Sequence, residues 1–341
     1  MAGKRIVGSG FLILLLFVGG LGLWWQWAIK PSSTIGNIEF LAVLPGATPN
    51  RIAQELEQRK LIRSASVFYF MARTRQQNFK LLPGEYYISS TMSPESIIER
   101  LLKGPDVELA RVTIPEGYNS DQIIDLLVQK GLGTKESFTK VVTSESFLYS
   151  FLKDAPVGVH RLDGFLFPDT YFFKKGDGPR AIIDTMLQRF SNELTPDTQN
   201  QLDNLKISVR DWVIMGSLVE KEALREVDRP LIASVLFNRL KKGMPLQIDA
   251  TIQFILGTPK LKLLNVDLQI SSPYNTYSHK GLPPGPIANP GHASLQAVLK
   301  PAESEYLYYL AKNDGFHVFA KTFEEHLQNQ KTYQGMNLNT R

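Results

Sequence analysis

Two glutamates stand in an apolar stretch of this sequence, where a helix of the core is expected. They are Glu220 and Glu222, in the segment SLVEKEALREVDRPLIASVLFNRLKKGMPLQIDATI of residues 217–252. Burying an ionised carboxylate without a partner costs much free energy, so a buried carboxyl group usually responds with a raised pKa. A carboxylic acid that is still protonated near neutral pH is what general acid catalysis requires. Both residues are therefore candidates for acid–base chemistry.

Helix geometry separates the two candidates. Residues two apart on a helix point in nearly opposite directions, because each residue turns by about 100°. Glu222 continues the apolar stripe of Met215, Leu218 and Val219, whereas Glu220 shares its side of the helix with smaller residues. The pattern favours Glu222 as the acid and leaves Glu220 as the second choice.

An ion pair is the structural alternative for Glu222. Ion pairs are a common cause of a perturbed carboxylate, and such a pair would only hold helices together. The candidate partners are Arg225, Arg229 and Arg239. Spacing alone leaves this alternative open.

Composition excludes several other function classes. The chain has no cysteine, which removes thiolate nucleophiles, disulfides and most zinc sites. Lys and Arg number 38 against 33 Asp and Glu, a net charge of +5, and they are scattered without any of the usual nucleic-acid motifs. The five histidines form no HExxH pair, and neither GxSxG nor GxxxxGK[ST] occurs. We therefore expect no metal, no cofactor and no nucleic-acid partner.

The N-terminus predicts a membrane span. Residues 6–29 carry no charge and meet the ~20 apolar residues that a helix needs to cross a bilayer. Lys4 and Arg5 precede them, so the positive-inside rule places a tail of residues 1–5 in the cytoplasm. The prediction is a single-pass helix in the cytoplasmic (inner) membrane, with the remaining chain outside the cytoplasm. A cleaved signal peptide is the alternative, but no good cleavage site follows the apolar run.

The rest of the chain divides into repeated small units and a larger helical part. After a linker over residues 30–37, a strand–turn–helix pattern occurs three times within residues 38–133. Small βα units of this LysM-like kind often bind glycans, although a packing role is equally open. Residues 134–335 are mainly helical and include a predicted β-hairpin at Asn313-Asp314-Gly315, and residues 336–341 form a tail. The expected fold class is α+β.

Several segments together resemble the YceG-like family of membrane-anchored endolytic murein transglycosylases, the MltG type. They are LVEKEA, IASVLFNRLKKGMPLQIDATI, YNTYSHKGLPPGPIANPG and YLYY…HVFA, with DGFLFPDTY further upstream. The resemblance covers nearly the whole chain. It implies a lyase that cuts nascent peptidoglycan strands between N-acetylmuramic acid and N-acetylglucosamine, leaves 1,6-anhydromuramoyl ends and limits strand length. Peptidoglycan synthases are the partners that it suggests.

The resemblance also implies one catalytic acid, which maps to Glu222 before Ala223. Glu222 would protonate the glycosidic oxygen and then accept the proton of the muramoyl C6 hydroxyl as this oxygen attacks C1. Two alternatives stay open. One is a hydrolase that uses Glu222 with Asp249 as paired carboxylates. The other is a non-catalytic, membrane-anchored scaffold that binds glycan.

Six polar residues are candidates for substrate binding. Gln247 and Asp249 are two apart and share one side of an extended segment, although Asp249 also suits a helix cap. The loop-like YNTY segment is expected to hold the N-acetyl group or position the sugar, and the helix before Gly243 is expected to orient the carboxyl of Glu222. The full set is Gln247, Asn275, Tyr277, Asp249, Asn238 and Arg239.

Overall fold

The computed structural model describes residues 18–34, 38–75, 82–153, 155, 158–258 and 260–334. The chain has a mixed α/β fold and separates into two compact units. The first comprises Met1–Arg111 with Phe172–Lys175, and the second comprises Val112–Tyr171 with Gly176–Arg341. The domain limits given above, including the start of a catalytic domain at residue 134, stay a prediction.

The predicted transmembrane helix is wrong. No helix in the described part of the chain is long and apolar enough to cross a bilayer. Of the predicted span, residues 18–28 are helical, which is about half of the ~20 residues required, and residues 6–17 lie outside the described residues. The end of this helix packs within the first unit, where Trp25 meets Phe70 edge to face at 5.6 Å.

A four-stranded sheet with the strand order β1-β2-β3-β4 contributes β1, β2 and most of β3 and β4 to the first unit. The strands are β1 (Ile38–Val43), β2 (Gly84–Ser89), β3 (Val107–Thr113) and β4 (Thr170–Lys174). The strand β1 pairs antiparallel with β2 from Ile38↔Ser89 to Val43↔Gly84. Alternate side chains of these strands enter the core, as the two-residue period of a strand requires.

Three helices cover the core of the first unit: α1 (Pro49–Gln58), α2 (Ala65–Arg75) and α3 (Pro94–Lys103). The helix α1 starts because Thr48 accepts a hydrogen bond from the Arg51 N–H and Pro49 occupies the first turn. Ser93 and Pro94 do the same for α3. The helix α2 was not among the predicted elements, and its sequence, ASVFYFMARTR, has a weak amphipathic pattern.

The second unit is mainly helical. Its helices are α4 (Ser120–Gln129), α5 (Lys135–Ser144), α6 (Pro179–Ser191), α7 (Pro196–Leu205), α8 (Val209–Glu222), α9 (Arg229–Lys241), α10 (Asp249–Leu256), α11 (His292–Leu299) and α12 (Phe323–Gln334). A hairpin of β5 (Tyr308–Ala311) and β6 (His317–Ala320) pairs antiparallel from Tyr308↔Ala320 to Ala311↔His317.

The helix α8 is the centre of the second unit. It begins at a capping box in which Ser208 and Asp211 exchange hydrogen bonds, and its residues 212–219 are buried. The helices α9, α10 and α11 pack against it. Gly216 allows α11 to come close, since a Cβ there would lie 2.8 Å from a Leu295 methyl group. The helix ends at Glu222 because Ala223 leaves the helical region at φ −81° and ψ 112°.

Candidate active site

A cavity of about 480 Å³ opens in the second unit at the end of α8. Its volume lies within the range of about 300–1,000 Å³ that is typical of small-molecule and sugar-sized sites. The lining comes from α8, α9, the segment before α10, the hairpin and α12. The residues are Glu222, Arg239, Leu246, Gln247, Asp249, Tyr277, Tyr308, Tyr309, Leu310, Ala311, His317, Phe323, His326 and Gln330.

Glu222 is the last residue of α8 and reaches this cavity with a half-buried side chain. Burial raises the pKa of Glu222 to about 7. A hydrogen bond from the Tyr309 hydroxyl opposes this rise, the negative charge of Asp249 adds to it, and a hydrogen bond from the Ala250 backbone N–H again opposes it. A carboxyl group with this pKa is protonated in about half of the molecules at neutral pH, so it can serve as acid and as base.

Tyr309 is a side-chain hydrogen-bond partner of Glu222. It belongs to β5, and burial together with the charge and hydrogen bond of Glu222 raises the pKa of its hydroxyl well above the usual value. The hydroxyl therefore stays protonated and can only donate to the carboxylate. The ring of Tyr309 meets the ring of His317 edge to face at 5.6 Å. Asp228 fixes His317, since its Oδ2 accepts from the His317 backbone N–H at 2.7 Å and lies 3.0 Å from Nδ1.

Asp249 and Tyr277 form a second hydrogen-bonded pair in the cavity. The Tyr277 hydroxyl donates to Asp249 Oδ1. Burial, followed by this hydrogen bond and the negative charges of Asp249 and Glu222, raises the pKa of Tyr277 above its usual range. Asp249 is exposed and is the first residue of α10, whereas the helix cap is Ile248, so Asp249 is not the cap.

Arg239 is buried in the cavity wall and hydrogen bonds mainly to main-chain oxygens. Its Nε donates to Leu307 O at 2.6 Å, and its Nη1 donates to Pro245 O at 3.1 Å and to Leu246 O at 2.8 Å. Arg239 thus ties α9 to the segment before α10 and to the start of β5. It also lies 3.3 Å from Gln247 Oε1, and Gln247 holds a left-handed backbone at φ 52°.

The ion pair proposed as the alternative for Glu222 is not formed. Within the parts of the chain that the structure describes, none of the three arginines pairs with this carboxyl. Arg225 donates to Asp314 O at 3.0 Å, Arg229 pairs with Glu220 at 3.5 Å, and Arg239 bonds to the carbonyls described above.

Glu220 lies in a different environment, which we call the Glu220 cluster: Glu116, Glu220, Arg229 and Gly291. The backbone N–H of Gly291, which caps α11, donates to Glu220 Oε2 at 3.0 Å. The carboxylate of the exposed Glu116 lies over Gly291, since a Cβ at Gly291 would lie 1.9 Å from Glu116 Oε1. Burial, and then the charge of Glu220, raises the pKa of Glu116. Glu220 therefore joins α8 to α11 and does not line the cavity.

The six predicted substrate-binding residues divide into two groups. Gln247, Asp249, Tyr277 and Arg239 line the cavity with Glu222, whereas Asn275 and Asn238 do not. Asn275 is fully buried, and its amide donates to Leu268 O at 3.0 Å and to Ile270 O at 2.8 Å. Asn238 donates to Ser304 O and Tyr306 O, each at 2.9 Å. The amide groups of both asparagines therefore hold loops together.

Sequence reasoning missed Tyr309, His317 and the residues of α12. The hairpin signal at Asn313-Asp314-Gly315 locates the two strands. It does not tell which of the tyrosines in YLYY reaches Glu222, because that contact joins positions far apart in the sequence. One signal was available: Tyr309 and His317 flank the hairpin turn, so they are expected to lie close together.

Similarity to known proteins identifies the family. The sequence profile of the YceG-like family matches residues 41–332, and the chain belongs to this family. The family predicted from the motifs is therefore confirmed. An endolytic murein transglycosylase of Bacillus subtilis is 34% identical over 93% of this chain and 91% of its own length.

Two further relatives extend this picture. An endolytic murein transglycosylase of Streptococcus pneumoniae (strain D39) is 32% identical over 86% of this chain, which spans 58% of that relative's length. A crystal structure described as a YceG-like protein of Listeria monocytogenes is 36% identical, with a TM-score of 0.60 over 86% of this chain and 100% of that one.

Proposed function

We propose that this chain is an endolytic murein transglycosylase in which Glu222 acts first as acid and then as base. The activity follows from the family and from relatives that carry this name along most of the chain. The catalytic assignment depends on one observation: Glu222 reaches a sugar-sized cavity with a pKa of about 7 and with a hydrogen bond from Tyr309.

The reaction needs one proton, which Glu222 donates to the substrate and a proton from the substrate later replaces. Glu222 gives its proton to the glycosidic oxygen, the bond from muramoyl C1 to this oxygen breaks, and the N-acetylglucosamine end leaves as an alcohol. Positive charge develops at C1 and the ring oxygen, as in other glycoside cleavage. The muramoyl C6 hydroxyl oxygen then bonds to C1, and its proton returns to Glu222. No water enters, no atom is oxidised or reduced, and the product is a 1,6-anhydro ring.

The neighbours of Glu222 suit both halves of this cycle. Tyr309 and the Ala250 N–H donate to the carboxylate and so stabilise its ionised state after the proton has left. The negative charge of Asp249 favours the protonated state that must begin the cycle.

The hydrolase with paired carboxylates is the second candidate. It draws support from Asp249, whose charge acts directly on Glu222 within the same cavity. In that reaction Asp249 would activate a water, and the product would be a reducing end. The Tyr277 hydroxyl donates to Asp249 Oδ1, so one of the two carboxylate oxygens that could activate a water is already engaged. We therefore favour the transglycosylase.

Product masses test the proposal. Purified sacculi are digested with the full chain and with Glu222→Gln, and the released muropeptides are weighed. The wild type should release anhydromuramoyl ends, and the variant should release none. Reducing ends, which are heavier by one water, would replace the transglycosylase with the hydrolase. Normal release by Glu222→Gln would remove the catalytic assignment, and no release by a folded wild type would favour the glycan-binding scaffold.

The substrate also bears on where the protein works. Murein lies outside the cytoplasmic membrane, so the proposal places the second unit on that side. An enzyme that shortens nascent strands must meet them as they are made, and peptidoglycan synthases are therefore the expected neighbours. Cross-linking in growing cells, followed by capture of the chain, tests this expectation. If synthases were recovered at the same level with and without the cross-linker, the expectation would be contradicted.

A further inference from the structure

Three aromatic rings form one wall of the cavity, apart from the groups that handle the proton. We call Tyr308, Phe323 and His326 the aromatic shelf. The rings of Tyr308 and His326 stack at 5.4 Å with 27° between their planes, and Phe323 lies 5.9 Å from Tyr308 and 6.3 Å from His326. All three line the cavity that contains Glu222. The mechanism above does not use them.

Neighbouring side chains hold the shelf in place, and its Phe323 ring is exposed. The Arg239 guanidinium lies over the Tyr308 ring at 5.1 Å and is itself fixed by three carbonyls. The Gln330 side-chain amide donates to His326 Nε2 at 3.1 Å. Phe323 is 52% exposed although it is a large apolar side chain. An apolar ring that stays exposed in a cavity lined also by polar and charged side chains is typical of a binding site.

The chemistry of the shelf matches one face of a sugar ring. In a β-linked pyranose the hydroxyl and N-acetyl groups point outward around the ring, so each face presents axial C–H groups. These hydrogens carry slight positive charge and pack on the negative face of an aromatic ring. Burial, and then the charge of Arg239, lowers the pKa of His326, so its ring is neutral at physiological pH and offers an aromatic face.

We propose that the aromatic shelf binds one pyranose ring of the glycan strand, next to the ring whose bond is cleaved at Glu222. This inference depends on the proposed function for the identity of the ligand. It is carried by the exposed ring of Phe323 and by the place of all three rings in the same cavity as Glu222. The side-chain amide of Gln247 lines the same cavity and is available to bind the polar edge of the sugar.

Binding without turnover tests the shelf. The full chain carrying Glu222→Gln is titrated calorimetrically with soluble murein glycan oligomers whose stem peptides have been removed. Adding Phe323→Ala or His326→Ala should raise Kd by about 3- to 10-fold, because a stacked ring is lost. Adding Phe323→Tyr should restore tight binding, since a tyrosine ring presents the same face.

Phe316→Ala is the matched control. Phe316 is 40% exposed and precedes β6, but it does not line the cavity, so its loss should leave Kd unchanged. Unchanged Kd in both Phe323→Ala and His326→Ala would overturn the inference. Weaker binding of free stem peptides, with unchanged glycan binding, would overturn it too and assign the shelf to the peptide.

Kinetics separate this inference from the proposed function. In the chain with Glu222 intact, Phe323→Ala should raise KM for sacculi or glycan oligomers by a similar factor and leave the anhydro product unchanged. If the wild type made no anhydro ends, the proposed function would fail, while the titration would still report on the shelf. If the wild type made anhydro ends but Phe323→Ala changed neither KM nor Kd, only the inference about the aromatic shelf would fail.

Discussion

Glu220 and Glu222 stand two residues apart on α8, in two different kinds of environment. Glu220 meets Arg229 and the Gly291 N–H at the start of α11, where negative charge is favourable. Glu222 meets a cavity, two hydrogen-bond donors and another negative charge. One carboxylate is therefore used to join helices, and the other is left able to exchange a proton. Burial alone does not distinguish a catalytic acid; the partners of the carboxylate do.

Removing each acid in turn should give the largest contrast. Glu222→Gln removes the transferable proton and should lower the cleavage rate by about 10²- to 10⁴-fold, the usual contribution of general acid–base catalysis. Glu220→Gln keeps the shape of the Glu220 cluster and should cleave at close to the normal rate. Initial rates of muropeptide release measure both. An equal loss of cleavage rate in the two variants would contradict the different roles given to Glu220 and Glu222.

The Glu220 cluster should instead respond in stability. Gly291→Ala places a methyl group where Glu116 Oε1 now lies, so the exposed side chain of Glu116 must turn away, and we expect a loss of about 0.5–1 kcal/mol in the free energy of unfolding relative to the control below. Gly178→Ala is the control, because Gly178 also caps a helix with negative φ but has no atom within 4 Å of the added Cβ. Denaturant unfolding measures both. Equal stability of the two variants would show that the cluster is looser than described.

The hydrogen bond from Tyr309 should be visible in the pH dependence. This bond lowers the pKa of Glu222, so Tyr309→Phe should raise it. Since the acid must be protonated, the alkaline limb of kcat/KM should move to higher pH by roughly one unit. If the alkaline limb of kcat/KM in Tyr309→Phe stayed in place or moved to lower pH, the role given to Tyr309 would be contradicted.

Asp249 should have the opposite and smaller effect. Its negative charge raises the pKa of Glu222, so Asp249→Asn should lower that pKa and move the alkaline limb to lower pH by roughly half a unit. The amide oxygen of the new residue can still accept from Tyr277. Complete loss of cleavage in Asp249→Asn, with reducing ends from the wild type, would instead favour the hydrolase.

The candidate site could be predicted from the sequence where local geometry decides. The 100° turn per residue and the apolar stripe distinguish Glu222 from Glu220. Gln247 and Asp249 do line one cavity, but the extended segment predicted for them is not formed, since Gln247 has a left-handed backbone and Asp249 begins α10. Asn275 and Asn238 show which part of the site could not be predicted from the sequence. Their amides suit a sugar, but backbone carbonyls already accept from them, and the sequence does not reveal which carbonyls come near.

Two other features lay beyond the sequence for similar reasons. Tyr309 reaches Glu222 only because the hairpin packs at the end of α8, a contact between distant positions. In the first unit the strand–turn–helix pattern corresponds to β1 with α1 and to β2 with α3, but it did not predict α2, whose apolar residues follow no clear helical stripe. At the N-terminus, hydropathy alone led to a membrane helix that the described residues do not contain.

The central claim is that Glu222 keeps its proton near neutral pH. Carboxyl ¹³C chemical shifts of glutamate-labelled full chain, with the Glu222 signal assigned by its loss in Glu222→Gln, report this directly. We expect the signal to titrate with a midpoint near pH 7. A midpoint near the ordinary value of 4.5 would contradict the account, because the carboxyl would then have no proton to give at the pH where murein is cut.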